Sequence, residues 1–122
     1  TEESINAEKY YTNERRAVFY KRSSVQKYSS PCISITQKKM LNTINEVFVN
    51  NKTNYKIIIS PLYDQLKIDK KDLLYLNNIF GEKNVFDFSG INIFTNDYKN
   101  YYETSHYRPH VANEIMKIIY QK

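Results

Sequence analysis

The stretch Tyr55-Lys56-Ile57-Ile58-Ile59-Ser60 limits the possible folds more than any other feature of this chain. It is a short, continuous, β-branched run closed by Pro61, the pattern of a strand buried on both faces, and such strands belong to parallel sheets covered by helices. The flanking periodicities agree. Ahead of it, Met40, Leu41, Ile44, Val47 and Phe48 form one face of a helix that the hydroxyl of Ser34 or Thr36 can cap and that ends near Asn50-Asn51. Behind it, a second helix is expected from Asp69, with Asp72 favourable in its first turn, burying Leu73, Leu74, Leu76, Ile79 and Phe80 until Gly81 stops it. Residues 84–88 (Asn-Val-Phe-Asp-Phe) read as another short strand. A last helix enters at Pro109 and carries Val111, Ile115, Ile118 and Ile119, with Met116 and Tyr120 widening the stripe.

The order is helix, strand, helix, strand, loop, helix. Such alternation predicts an α/β fold with parallel strands, right-handed crossovers and a ligand site at the carboxyl ends of the strands. Residues 61–66, 89–95 and 103–110 would then lie on one edge.

The third of these segments is the densest in chemistry. Asn100-Tyr101-Tyr102-Glu103-Thr104-Ser105-His106-Tyr107-Arg108-Pro109-His110 holds a carboxylate, two hydroxyl side chains besides its tyrosines, two histidines and an arginine. A carboxylate three residues before a histidine can turn back to the imidazole, fix its tautomer and stabilise the imidazolium formed when it takes a proton. Two other readings compete. Glu103, His106 and His110 could ligate a metal, but Pro109 interrupts the shared helix face and no fourth ligand is evident. Alternatively His106 is a helix-entry residue satisfied by backbone groups, with Tyr107 and Arg108 as surface packing.

The carboxylate-x-x-His spacing ahead of the last helix resembles the final motif block of the SGNH/GDSL hydrolases. The string 102–109 is similar to the D-x-S-H-Y-R-P ending of a bacterial cell-envelope branch of that superfamily, with Glu103 in place of the usual Asp. The resemblance covers roughly residues 55–120. It implies a partial flavodoxin-like, three-layer α/β/α domain over residues 34–122, with His106 as catalytic base and Glu103 as its orienting carboxylate. Ser89, Asn92 and Arg108, on the same expected edge, are the substrate-binding candidates. No cofactor and no metal are implied. The function implied is that of an ester hydrolase or acyltransferase acting on acylated cell-envelope polysaccharide, which favours a periplasmic or envelope location.

The nucleophile is missing from this picture. The family's serine follows a strand in a Gly-Asp-Ser-like turn, and this chain has no such tripeptide. Ser89 follows a strand in the wrong half of the fold, and Ser105 adjoins the histidine and pairs locally. The chain is therefore expected to be the C-terminal part of a hydrolase-like domain; a first residue other than Met suits a processed or truncated piece. Two parallel strands also make a poor sheet. The missing strands would come from a preceding part of the same protein, from a homo-oligomer partner, or from elements unread in the N-terminal arm.

That arm, residues 1–33, has no clear period. Ile5, Tyr10, Tyr11, Val18, Phe19 and Tyr20 do not fit one face, although a helix is plausible between residues 8 and 21. The formal charge of +5 is concentrated nearby. Arg15, Arg16, Lys21, Arg22, Lys27, Lys38 and Lys39 occur without an intervening acid, and Phe19, Tyr20 and Tyr28 interleave them. This composition suits a binding module for an anionic polymer or nucleic acid. A solvated basic surface is the simpler account, and no nucleic-acid motif accompanies the charges, so nucleic acid is disfavoured. Cys32 is the only cysteine and permits no internal disulfide; a buried or incidental thiol is expected over a reactive one. No apolar run approaches the length of a membrane span.

Overall fold

A computed structural model describes residues 7–121. The expectations for Ile5 and for the first six residues of the arm lie outside them. The expected helices and strands of the C-terminal part are present. Helix α3 (Ile35–Asn50) is capped by Ser34, whose hydroxyl accepts from the Gln37 amide while the Gln37 side chain accepts from the Ser34 amide, a complete capping box. Helix α4 (Lys70–Phe80) is capped by Asp69, which accepts from the amides of Lys71 and Asp72, and it ends at Gly81, whose φ of +89° only glycine adopts without strain. Helix α5 (Pro109–Ile119) has Pro109 in its first turn, which holds Arg108 extended as the N-cap residue.

Strands β2 (Ile57–Ile59) and β4 (Val85–Asp87) pair in parallel, with Ile57, Ile58 and Ile59 opposite Val85, Phe86 and Asp87, and α4 forms the crossover between them. Phe86 and Phe88 pack on the buried stripe Val111, Ile115 and Ile119 of α5, together with Phe94 and Tyr107. Each fully buried aliphatic side chain of that stripe contributes about 1.5–3 kcal/mol, so α5 anchors the segment that precedes it.

Three expectations change. The arm supplies secondary structure of its own: helices α1 (Ala7–Tyr10) and α2 (Asn13–Arg16), then strand β1 (Lys27–Tyr28), which pairs in parallel with the short strand β3 (Leu66–Lys67). This is a second ladder, separate from β2–β4. The segment taken as a loop is a β-hairpin, β5 (Tyr101–Glu103) and β6 (His106–Tyr107), turning at Thr104-Ser105 with a bulge in β5. Finally, burial is shallower than the periodicity suggests. Ile58 is exposed on β2, Leu74 on α4, and Met40, Ile44 and Val47 on α3, which has no fully buried residue. The physical reason is a shortage of neighbours: α3 packs on α4 and through Phe48 on Tyr55 and Phe80, so only one side of its apolar face finds a partner.

The arm is fastened by aromatic contacts and tyrosine hydroxyls. Tyr11, Phe19, Tyr63 and Tyr98 stack edge-on or tilted with ring centroids 5.2–6.2 Å apart. The Tyr10 hydroxyl donates to the Tyr102 carbonyl (3.0 Å), and the Tyr11 hydroxyl lies between the carbonyls of Tyr101 (2.5 Å) and Lys99 (2.8 Å). From the other side, the Tyr63 hydroxyl donates to the Tyr20 carbonyl at 2.6 Å. No helix among the described residues is long and apolar enough to cross a membrane.

Candidate functional site

Glu103 and His106 flank the two-residue turn of the β5–β6 hairpin and stand directly opposite each other in its register. Opposed residues on one face of an antiparallel pair have neighbouring side chains, and here the Glu103 carboxylate meets His106 Nδ1 while its other oxygen accepts from the Ser105 amide at 3.0 Å. These two bonds, the one to His106 first, pull the Glu103 pKa below its usual value. The His106 side chain is 77% exposed and that of Glu103 42%. With Nδ1 engaged, Nε2 has no partner among the described residues. A carboxylate on one ring nitrogen and a free second nitrogen is the arrangement that lets an imidazole act as base.

The hairpin is held from below. Buried Tyr101 donates its hydroxyl to the Pro61 carbonyl at 2.7 Å, which joins the base of β5 to the end of β2, and burial pushes its phenol well above the ordinary range. His110 points elsewhere, pairing through Nε2 with Asn100 Oδ1 at 2.8 Å. Among the described residues no group of three or more His, Cys, Asp or Glu side chains is placed to hold a metal ion.

The loops after β2 and β4 meet, as expected of parallel strand ends. Their meeting point is Thr95, which is wholly buried. Its hydroxyl donates to the Gly90 carbonyl (2.7 Å) and accepts from the Asn92 amide (3.0 Å) and Gln65 Nε2 (3.1 Å). Gln65 itself sits in the left-handed region with φ +59°. Gln26 of the arm ties both loops together, donating to the Gln65 carbonyl at 2.8 Å and accepting from the Ile91 amide at 2.7 Å.

The candidate binding residues are engaged in this framework. Ser89 is buried; its hydroxyl donates to Asp87 Oδ1 at 2.6 Å and accepts from the Ile68 amide, while the other Asp87 oxygen pairs with Lys67 at 3.0 Å. Asn92 donates to the Phe88 carbonyl and accepts from the amides of Phe94 and Thr95, which closes the turn. Arg108 is 7% exposed, reaching the Lys99 carbonyl at 3.4 Å and lying 5.9 Å from the Tyr11 ring. Burial raises the Tyr11 pKa and Arg108 partly offsets it. The structure thus brings Glu103 to His106, and Ser89 to Asn92 through one loop. Four hollows on the surface are lined by neither Glu103 nor His106.

Three of those hollows lie where the arm crosses the strand ends. Adjoining hollows of about 380 and 450 Å³ share Tyr20, Lys21, Arg22, Tyr63 and Asn96. Arg22 was visible in the sequence only as one basic residue among seven. Its Nη1 donates to the carbonyls of Tyr63 and Thr95, partners that no local pattern announces. Cys32 is exposed rather than buried, at the lip of an apolar hollow beside α3, and its amide donates to buried Asp72 at 2.7 Å. Partial burial, then Asp72, raises its thiol pKa, opposite to the shift that activates a thiolate. No family model, curated protein or solved structure matches this chain.

Proposed function

We propose that residues 34–122 are the C-terminal part of an SGNH-type ester hydrolase or acyltransferase, contributing the base and its orienting carboxylate to a site completed by a serine from outside these residues. The observation that carries this reading is the pair itself: Glu103 on His106 Nδ1, on a hairpin tip anchored by Tyr101, with Nε2 open to solvent. Among the described residues no serine hydroxyl is hydrogen-bonded to His106. Two further features support a larger domain of the flavodoxin-like, three-layer kind. Among the described residues the ladder β2–β4 has only two strands, and none of these residues covers Met40, Ile44 and Val47 of α3.

In the completed site His106 Nε2 takes the proton of the serine hydroxyl as its oxygen attacks the ester carbonyl. Glu103 holds the tautomer and stabilises the imidazolium, which then returns the proton to the departing alcohol. Water, or an acceptor hydroxyl in a transferase, repeats the sequence on the acyl-enzyme. The substrate class on this reading is an acylated cell-envelope polysaccharide.

The test is p-nitrophenyl acetate hydrolysis by this chain and by a version extended upstream through a Gly-Asp-Ser-like turn. Activity is expected in the longer protein alone and is lost on His106→Ala. An inert longer protein, or one indifferent to His106→Ala, overturns the assignment.

A further inference from the structure

Arg22 lies in the groove between the arm and the loops that follow β2 and β4, and it is held there more firmly than a surface arginine. One nitrogen, Nη1, donates to the carbonyls of Tyr63 and Thr95, both at 2.6 Å, and the guanidinium carbon sits 3.8 Å from the centre of the Tyr63 ring. Thr95 and Tyr63 are themselves buried, so the cation rests on a rigid floor. Nε and Nη2 have no hydrogen-bond partner among the described residues, and no carboxylate pairs with the group there. Lys21 and Ser23 line the same hollow, and Asn96 closes it from the loop after β4. Among the described residues Asp64 is the one acid lining the adjoining part of the groove, and it accepts from the Leu66 amide at 2.9 Å.

A guanidinium fixed through one nitrogen keeps a two-nitrogen edge, and that edge matches two oxygens of a carboxylate or phosphate. The immobilisation that normally costs a flexible arginine side chain entropy on binding has already been met by folding. We infer that Arg22, with Lys21 beside it, forms a preorganised subsite for an oxyanion, the phosphate or carboxylate group of a ligand lying in the groove between the arm and the strand ends. The subsite stands independently of the catalytic reading, because none of its residues belongs to the Glu103–His106 hairpin.

The test follows the side-chain Nε–Hε signal of Arg22 and the backbone amide spectrum during titration with inorganic phosphate, glucuronate or chloride at equal ionic strength. Saturable shifts confined to Arg22, Lys21, Ser23 and Asn96 are expected with phosphate or glucuronate, and not with chloride. The tighter of the two identifies the oxyanion. Arg22→Lys keeps the charge and loses the fork, so binding should weaken about tenfold, the loss of one charge-assisted hydrogen bond. Lys21→Gln leaves every anchoring bond of Arg22 intact and should weaken binding about two- to fivefold, as for an exposed charge, while His106→Ala binds as the parent does. The inference is overturned by shifts that do not saturate, by equal response to chloride, or by Arg22→Lys binding as well as the parent. Should Arg22→Lys unfold the arm, the parent titration and Lys21→Gln decide: an unchanged affinity in Lys21→Gln, or a silent Arg22 signal, refutes it.

Discussion

Replacing Thr95 by valine removes one hydroxyl and keeps the side chain's shape, at the point where three segments meet. The oxygen serves the Gly90 carbonyl, the Asn92 amide and Gln65 Nε2, all within 3.1 Å, in a site with no solvent access. Gln65 retains the Thr95 carbonyl and Asn96 Oδ1 as partners, so its loss is partial. The Gly90 carbonyl keeps only a long contact of 3.4 Å from Asn92, and the Asn92 amide loses its acceptor. Two buried groups left short at roughly 1–2 kcal/mol each give a destabilisation of about 3 kcal/mol. With an unfolding entropy of about 2.1 cal/mol/K per residue, a chain of 122 residues should lose about 12 °C in Tm. The control is Thr95→Ser, which keeps the hydroxyl and gives up one methyl, at about 1 kcal/mol. Thermal and urea unfolding followed by circular dichroism measure both. The reasoning fails if Thr95→Val lies within about 0.5 kcal/mol of the parent, or if Thr95→Ser proves the more damaging change.

Two further outcomes follow from the same geometry. Gly90 has φ +90°, and a Cβ there would sit 2.7 Å from Gln26 Oε1 and 2.9 Å from Lys67 Cδ, so Gly90→Ala should cost about 2–3 kcal/mol; unchanged unfolding would show that this turn is softer than its contacts imply. Glu103, with its pKa lowered by His106, contributes stability above pH 4.5 that disappears as pH falls through the lowered folded value. Because the pair is exposed, Glu103→Gln should cost at most about 0.5 kcal/mol near neutrality, and the parent and variant unfolding curves should converge in acid. A gap that persists at low pH assigns the effect to something other than the carboxylate.

The helices and the β2–β4 ladder were legible because their signals are local: a capping box at Ser34, Asp69 ahead of α4, Gly81 after it, Pro109 at the start of α5, and an isoleucine run of strand length. The Glu103 to His106 contact was legible from spacing alone, although the element that creates it was not. A hairpin turning at Thr104-Ser105 lacks the Asn-Gly or Asp-Gly signature that announces such turns. The arm was illegible for a different reason. Tyr10, Tyr11, Phe19 and Tyr20 are spaced to suit rings and carbonyls far away in the chain, so no single helical or strand period describes them. Ser89 and Arg108 read as site residues by type and place, yet type cannot reveal that a hydroxyl already serves Asp87 and Ile68. Arg22 and Thr95 went unmarked because their partners are backbone carbonyls and amides, which the residue names do not display.

The tyrosine fastenings of the arm also set an order of events during synthesis. Tyr10 and Tyr11 bond to Tyr102 and Tyr101, separations of 92 and 90 residues. At roughly 5–20 residues per second, the aromatic arm leaves the ribosome about 5–18 s before the strand that receives it. Throughout that interval the Tyr10 and Tyr11 hydroxyls lack these acceptors, so the fastening of the arm is completed long after its own residues have been made.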